Sequence, residues 1–204
     1  MRGSQPEFLL NFNMHLSEGE IYHVFNRGNN KQKIFFRAEN YTYFLRGLDR
    51  YLTPSCDLLA WCLMPNHFHL LIHANSSSTP IIKDGSFERQ QFSQGIKQLL
   101  SSYTKAVNKQ AGRTGSIFQQ KTKAICVTNN KHHNTTAFHY IHQNPMKAGL
   151  VKRMEDWEFS SFKDYLGLRG ESLCTVDLAK KRLDINFNKL YEESYRVINF
   201  EFED

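Results

Sequence analysis

Two apolar runs, Asp57 to Leu63 and His67 to His73, are separated only by Met64-Pro65-Asn66. Proline and asparagine supply turn chemistry between runs of strand length, which predicts two antiparallel strands joined tightly. A chain built around such a pair must organise an antiparallel sheet. Upstream, Glu20 to Asn26 (EIYHVFN) alternates large and polar residues and runs into Arg27-Gly28-Asn29-Asn30, which predicts a first strand and a polar loop. Glu39 to Leu52 carries Tyr41, Phe44, Leu45, Leu48 and Leu52 at helical spacing, with Pro54 beyond.

After the paired strands, the serine-rich stretch Asn75 to Gly85 reads as an exposed loop. A long helix is predicted from Phe87 to about Ala111, with Phe92, Ile96, Leu99, Leu100, Tyr103 and Val107 on one face. Gly112 to Gly115 ends it, and β-branched Thr122 to Thr128 reads as a fourth strand. The order strand, helix, strand, strand, helix, strand predicts an α+β, ferredoxin-like βαββαβ fold: an antiparallel sheet with two helices on one face. His132 to about Pro145 predicts a further helix, stopped by Asn144-Pro145. The aromatic segment Trp157 to Leu166 completes a C-terminal helical extension. The expected organisation is a tail at 1–18, a catalytic core at 19–130, the helical extension at 131–176 and a C-terminal tail at 177–204. Met1 to Asn13 shows no period and is left out of the fold argument.

At 204 residues and 40% hydrophobic content, the chain suits one well-buried domain with extensions. A formal charge of +6 favours an anionic partner without naming it. Cys56, Cys62, Cys126 and Cys174 are widely separated, which suggests neither a disulfide framework nor a zinc ribbon and points to a reduced, cytoplasmic protein. No apolar run reaches about 18 residues and no secretory signal pattern opens the chain, so neither membrane spanning nor export is expected.

His67 and His69 flank Phe68, and a strand's period of two puts both imidazoles on one face. Two nitrogens so placed can hold one divalent metal, Mg or Mn; a surface or hydrogen-bonded pair is the plainer alternative. His73 points the same way but lies at the strand's end. Magnesium prefers oxygen ligands, so a third ligand is expected, with Asn108 the candidate. Tyr103 lies on the helix predicted to cover the sheet and is either a core residue or a nucleophile leaning toward a metal-bound phosphate. A metal would shield the phosphodiester's charge, and the tyrosine would conserve the bond as a phosphotyrosine. Arg27, Lys31, Lys105, Arg113, Lys121 and Lys123 are the candidate DNA-binding cations. His132, His133, His139 and His142 admit a second metal site, against the simpler reading of a docked helix.

Met64-Pro65-Asn66-His67-Phe68-His69-Leu70-Leu71, Ser102-Tyr103-Thr104-Lys105, Gly112-Arg113-Thr114-Gly115-Ser116-Ile117-Phe118-Gln119, and the run from Tyr140-Ile141-His142-Gln143-Asn144-Pro145 to Val151 together resemble the REP-associated tyrosine transposases and related single-tyrosine HUH transposases. The resemblance spans roughly Glu20 to Tyr165. It implies a divalent metal on His67 and His69, Tyr103 as the nucleophile, and nicking and rejoining of single-stranded DNA at hairpin-flanked sites through a 5′-phosphotyrosine. In insertion-sequence relatives a polar residue one turn after the tyrosine completes the metal site; after Tyr103 that place is Val107. A monomer or a homodimer fits. The rival readings are a domesticated DNA-binding protein that no longer cuts, and an RNA-binding or zinc-stabilised module.

Overall fold

The computed structural model describes residues 14–128 and 131–196, without the side chains of residues 84 and 131–133. Strand β1 (Ile21–Arg27) leads to helix α1 (Ala38–Tyr51), then to β2 (Asp57–Met64) and β3 (His67–His73). A small hairpin, β4 (Ile81–Asp84) and β5 (Phe87–Gln90), precedes helix α2 (Gln91–Ala111), and β6 (Lys123–Cys126) follows it. Helix α3 (Lys131–Lys147) and the shorter α4 (Phe162–Tyr165), α5 (Val176–Arg182) and α6 (Leu190–Tyr195) complete the order. The main sheet runs β2-β3-β1-β6 with every neighbouring pair antiparallel.

Alternation along the strands assigns each side chain to one of two cores. Val24, Phe68, Leu70 and Ile72 pack with Phe44 and Leu48 of α1 and Phe92, Ile96, Leu99 and Tyr103 of α2. Leu71, Ala60 and Cys62 face the other way and pack with Ala137, Phe138 and Ile141 of α3. A register shift between Leu58 and Ala60 keeps β2 in step with this alternation. The sheet is therefore covered on both faces: α1 and α2 share one as expected, and α3 with the C-terminal helices closes the other. Met14 and Leu16, within the stretch expected as an N-terminal tail, join the first core.

Two local expectations are corrected. The stretch expected as loop and helix start forms the β4–β5 hairpin, because Ile81–Asp84 pairs antiparallel with Phe87–Gln90 across a turn with Gly85 at φ +65°; α2 therefore starts at Gln91, not Phe87. Helix α3 does not stop at Asn144-Pro145 but runs through Pro145 to Lys147, the proline forgoing one helical hydrogen bond near the helix end. Gly149, at φ +68°, closes it by donating to the Met146 carbonyl. Residues 197–204 of the expected C-terminal tail lie outside the described residues. Among the described residues no helix is long and apolar enough to cross a membrane.

A Cβ at Gly95 would stand 2.3 Å from the Tyr51 carbonyl oxygen, where α2 crosses the end of α1. Gly95→Ala is expected to lose about 1–3 kcal/mol through overpacking despite alanine's better helix propensity, measured by urea unfolding.

His139 and His142 are buried on α3, and burial holds them neutral, at about 4 and about 3. Unfolding restores an ordinary value of about 6.5, so the unfolded chain takes up protons that the fold refuses. Stability is complete above pH 6.5 and falls as pH drops below it, by up to about 1.4 kcal/mol per unit for each such histidine. His142→Gln should unfold with a shallower acid slope between pH 6 and pH 4, whatever its stability at neutral pH.

Candidate functional site

Strand β3 presents His67 and His69 on the α3 face, with ring centroids 4.8 Å apart and the planes nearly perpendicular. The ring nitrogens nearer the backbone are both engaged. His67 Nδ1 lies 2.6 Å from Asn66 Oδ1, and Asn66 Nδ2 donates to the Lys31 carbonyl at 3.2 Å. Because that amide nitrogen is committed as a donor, Oδ1 accepts, the His67 proton sits on Nδ1, and Nε2 carries the lone pair. His69 Nδ1 meets His23 Nε2 at 2.9 Å, and His23 stacks on Phe25 at 4.8 Å.

The Nε2 atoms of His67 and His69 are buried without a protein partner among the described residues. Burial, reinforced by the nearby Arg27 charge, holds His67 neutral at about 4. His69 is pushed well below the usual histidine value, first by burial and then by His23, His67 and Arg27. Two neutral imidazoles with fixed Nδ1 partners and unpartnered Nε2 atoms are the donor set a divalent cation takes. No group of three His, Cys, Asp or Glu side chains converges among the described residues, so further ligands would have to be amide, water or substrate oxygens.

A pocket beside the pair is lined by Phe25, Asn26, Arg27, His67, His69, Gln119, Lys121 and Lys123. Three of the six expected DNA-binding cations thus meet the histidines, and no carboxylate lines the pocket. Lys31 stands in the neighbouring loop, left-handed at φ 58°, and its carbonyl holds Asn66. Lys105 and Arg113, on α2 and just after it, do not line this pocket.

The structure does not bring Tyr103 or Asn108 to the histidines. Tyr103 is 1% exposed in the core on the opposite sheet face, and its hydroxyl donates to the Ile34 carbonyl at 2.7 Å. Burial pushes its phenol far above the ordinary value. Its position on the apolar stripe of α2 makes it a core residue, and the nucleophile assignment is corrected accordingly. Asn108 closes the end of α2: its side-chain amide donates to the Gly115 carbonyl, and its own carbonyl accepts from Gly112 and Arg113. That role and position remove it as the third ligand.

The tyrosine that does meet the pair is Tyr140, on α3. Its ring stands edge-on to His69 at 5.5 Å and to His23 at 6.1 Å, with Lys147 Nζ 5.8 Å from its centroid. Asn144, one turn later, donates to the Tyr140 carbonyl at 2.9 Å. Sequence reading took this run as a docked helix end, although Tyr140 followed by a polar residue at the fourth position carried the spacing that Val107 fails to supply after Tyr103. Of the four histidines of the second metal reading, His139 bonds Ser194 and His142 bonds Ser161, and no group of three His, Cys, Asp or Glu forms around them among the described residues; the side chains of His132 and His133 lie outside the described residues. His73 is paired with Asp57 at 3.0 Å.

Manganese binding should reveal this arrangement in a calorimetric titration. His67→Ala and His69→Ala are each expected to abolish it, while Asn66→Ala, which frees the His67 ring, weakens it by roughly 10–100-fold. Unchanged affinity in Asn66→Ala would remove the orienting role.

No protein-family model matches the chain. A REP-associated tyrosine transposase of Haemophilus influenzae is 28% identical over 108 residues, which cover 52% of this chain. The match spans only 58% of that relative's length. In three dimensions the chain is similar to a solved structure of a REP-associated tyrosine transposase bound to a REP hairpin, with a TM-score of 0.56, 19% identity, and coverage of 78% of this chain and 87% of that one. At that identity the likeness is one of fold. Sequence match and shared fold point the same way: this chain is similar to REP-associated tyrosine transposases.

Proposed function

We propose that the chain is a metal-dependent transposase that nicks and rejoins single-stranded DNA at hairpin-flanked sites through a 5′-phosphotyrosine on Tyr140. The observation that carries this reading is the convergence, on one sheet face, of two unpartnered imidazole nitrogens, a pocket lined by three cations, and a tyrosine ring. The strand order β2-β3-β1-β6 with α1 and α2 in one core supports placing the scaffold in the ferredoxin-like class. The enzyme would work in the cytoplasm, as a monomer or a homodimer.

His67 and His69 would hold manganese or magnesium through Nε2, with the Asn144 side-chain oxygen as the candidate third ligand. When bound, the metal supplies charge withdrawal from the phosphate oxygens and eases departure of the leaving oxygen. Arg27, Lys121 and Lys123 draw the strand into the pocket by charge. The Tyr140 hydroxyl oxygen attacks phosphorus, the bond to the 3′ oxygen breaks, and the proton lost by the phenol is matched by one gained at that oxygen. The energy of the phosphodiester stays in the tyrosyl ester, so a 3′-hydroxyl returning along the same path regenerates the strand.

Hairpin-bearing single-stranded DNA incubated with manganese should give a covalent complex on a denaturing gel. Tyr140→Phe and chelator are expected to abolish it. Tyr103→Phe should retain it and instead lose about 1–3 kcal/mol of stability, because the buried Ile34 carbonyl is left without its donor. The reverse pattern would return the nucleophile to Tyr103. Tight DNA binding with no adduct in wild type would favour the non-cutting reading.

A further inference from the structure

Arg27 is the last residue of β1 and pairs in register with His67 of β3. It shares the parity of His23 and Phe25, so its side chain emerges on the same sheet face as the histidine pair and lines the same pocket. Its backbone is fixed on three sides. Its N–H donates to Asn26 Oδ1 at 2.6 Å, its carbonyl accepts from Gln119, and the next N–H, that of Gly28, donates to the Asn66 carbonyl at 2.8 Å. The guanidinium Nε is buried with no hydrogen-bond partner among the described residues. Lys121 and Lys123 are exposed at the pocket's edge, and Lys123 lies over the Phe25 ring at 5.3 Å.

An unpartnered buried donor on a residue that lines a pocket without a carboxylate leaves both a hydrogen bond and a charge to be answered by a ligand. The ligand must be anionic, and it must fit a planar fork of N–H groups beside two imidazole nitrogens, which is the geometry of a phosphoryl group. We propose that Arg27 is a catalytic residue that binds the non-bridging oxygens of the scissile phosphate and offsets the charge that builds on them as the Tyr140 oxygen bonds to phosphorus. Lys121 and Lys123, exposed at the pocket's edge, attract the strand at any phosphate. Arg27 is held where one phosphate must sit. This role rests on the phosphotyrosine reading, but the anion site itself does not.

The test uses a hairpin DNA carrying either the natural phosphate or an uncharged methylphosphonate at the cleaved position, with manganese and saturating DNA. On the phosphate, Arg27→Gln should slow adduct formation by roughly 10²–10³-fold and Arg27→Lys by less, since a point charge replaces the fork. On the methylphosphonate the charge to be offset is gone, so wild type and Arg27→Gln should react within about threefold of each other. Equal slowing on both substrates, or a loss that saturating DNA restores, would overturn the role. Inorganic phosphate titrated into the manganese-loaded protein needs no chemistry: Arg27→Gln should bind it at least about tenfold more weakly. Unchanged phosphate affinity overturns the anion site, whereas Arg27-dependent phosphate binding with no adduct in wild type overturns the cutting reading and supports the site.

Discussion

Strand β3 sits between β2 and β1, hydrogen-bonded on both edges, and a central strand cannot slip by one residue without turning every side chain to the opposite face. Phe68, Leu70 and Ile72 belong to the α1–α2 core, so that slip would drive three large apolar groups out of it. The hydrophobic effect on one face thus fixes His67 and His69 on the other, to within the tolerance of a packed core. The chemistry-bearing face needs no stabilising energy of its own to stay in register. Its polar groups can remain unpartnered, as the two Nε2 atoms are, because the other face bears the burden of stability.

The second face is a different kind of layer. It mixes apolar packing from Leu71, Phe138 and Ile141 with histidines and serines that hydrogen-bond in pairs. Helix α3 performs two tasks there: its apolar residues seal the sheet, and Tyr140 overhangs the histidine pair. An element that looks like an accessory to the core thus covers the candidate site. The candidate site accordingly draws on α3, beyond β6, as well as on the strands.

Much of this was legible in the sequence. The turn at Met64-Pro65-Asn66, the alternation through His67-Phe68-His69, and the apolar stripe of α2 each rest on local periodicity, which one chain displays in full. The hairpin β4–β5 was masked by serines and Pro80 upstream, although Asp84-Gly85 is a turn signal in its own right. The misplacement of Tyr103 has a deeper cause. Periodicity says that a residue lies on a buried stripe, but not which side of the sheet the helix covers, and α2 covers the side away from the histidines. The same gap hid Tyr140, since nothing local tells that α3 crosses back over the opposite face. Arg27 was readable as a cation near the first strand's end, yet its pairing with His67 is a matter of strand register between distant segments.

The Asn66 amide joins two parts of the molecule that loops usually keep apart. Through it the Lys31 carbonyl, presented by a backbone held left-handed at Asn30 and Lys31, fixes the rotation of the His67 ring. The connection between β1 and α1 therefore behaves as part of the site's gauge. Surface loops ordinarily absorb insertions and deletions at little cost, but here a change of one residue in length would alter the angle of an imidazole on the neighbouring strand. Variation among chains of this architecture should then accumulate in the β4–β5 hairpin and the C-terminal helices, while the short loop after β1 keeps a constant length.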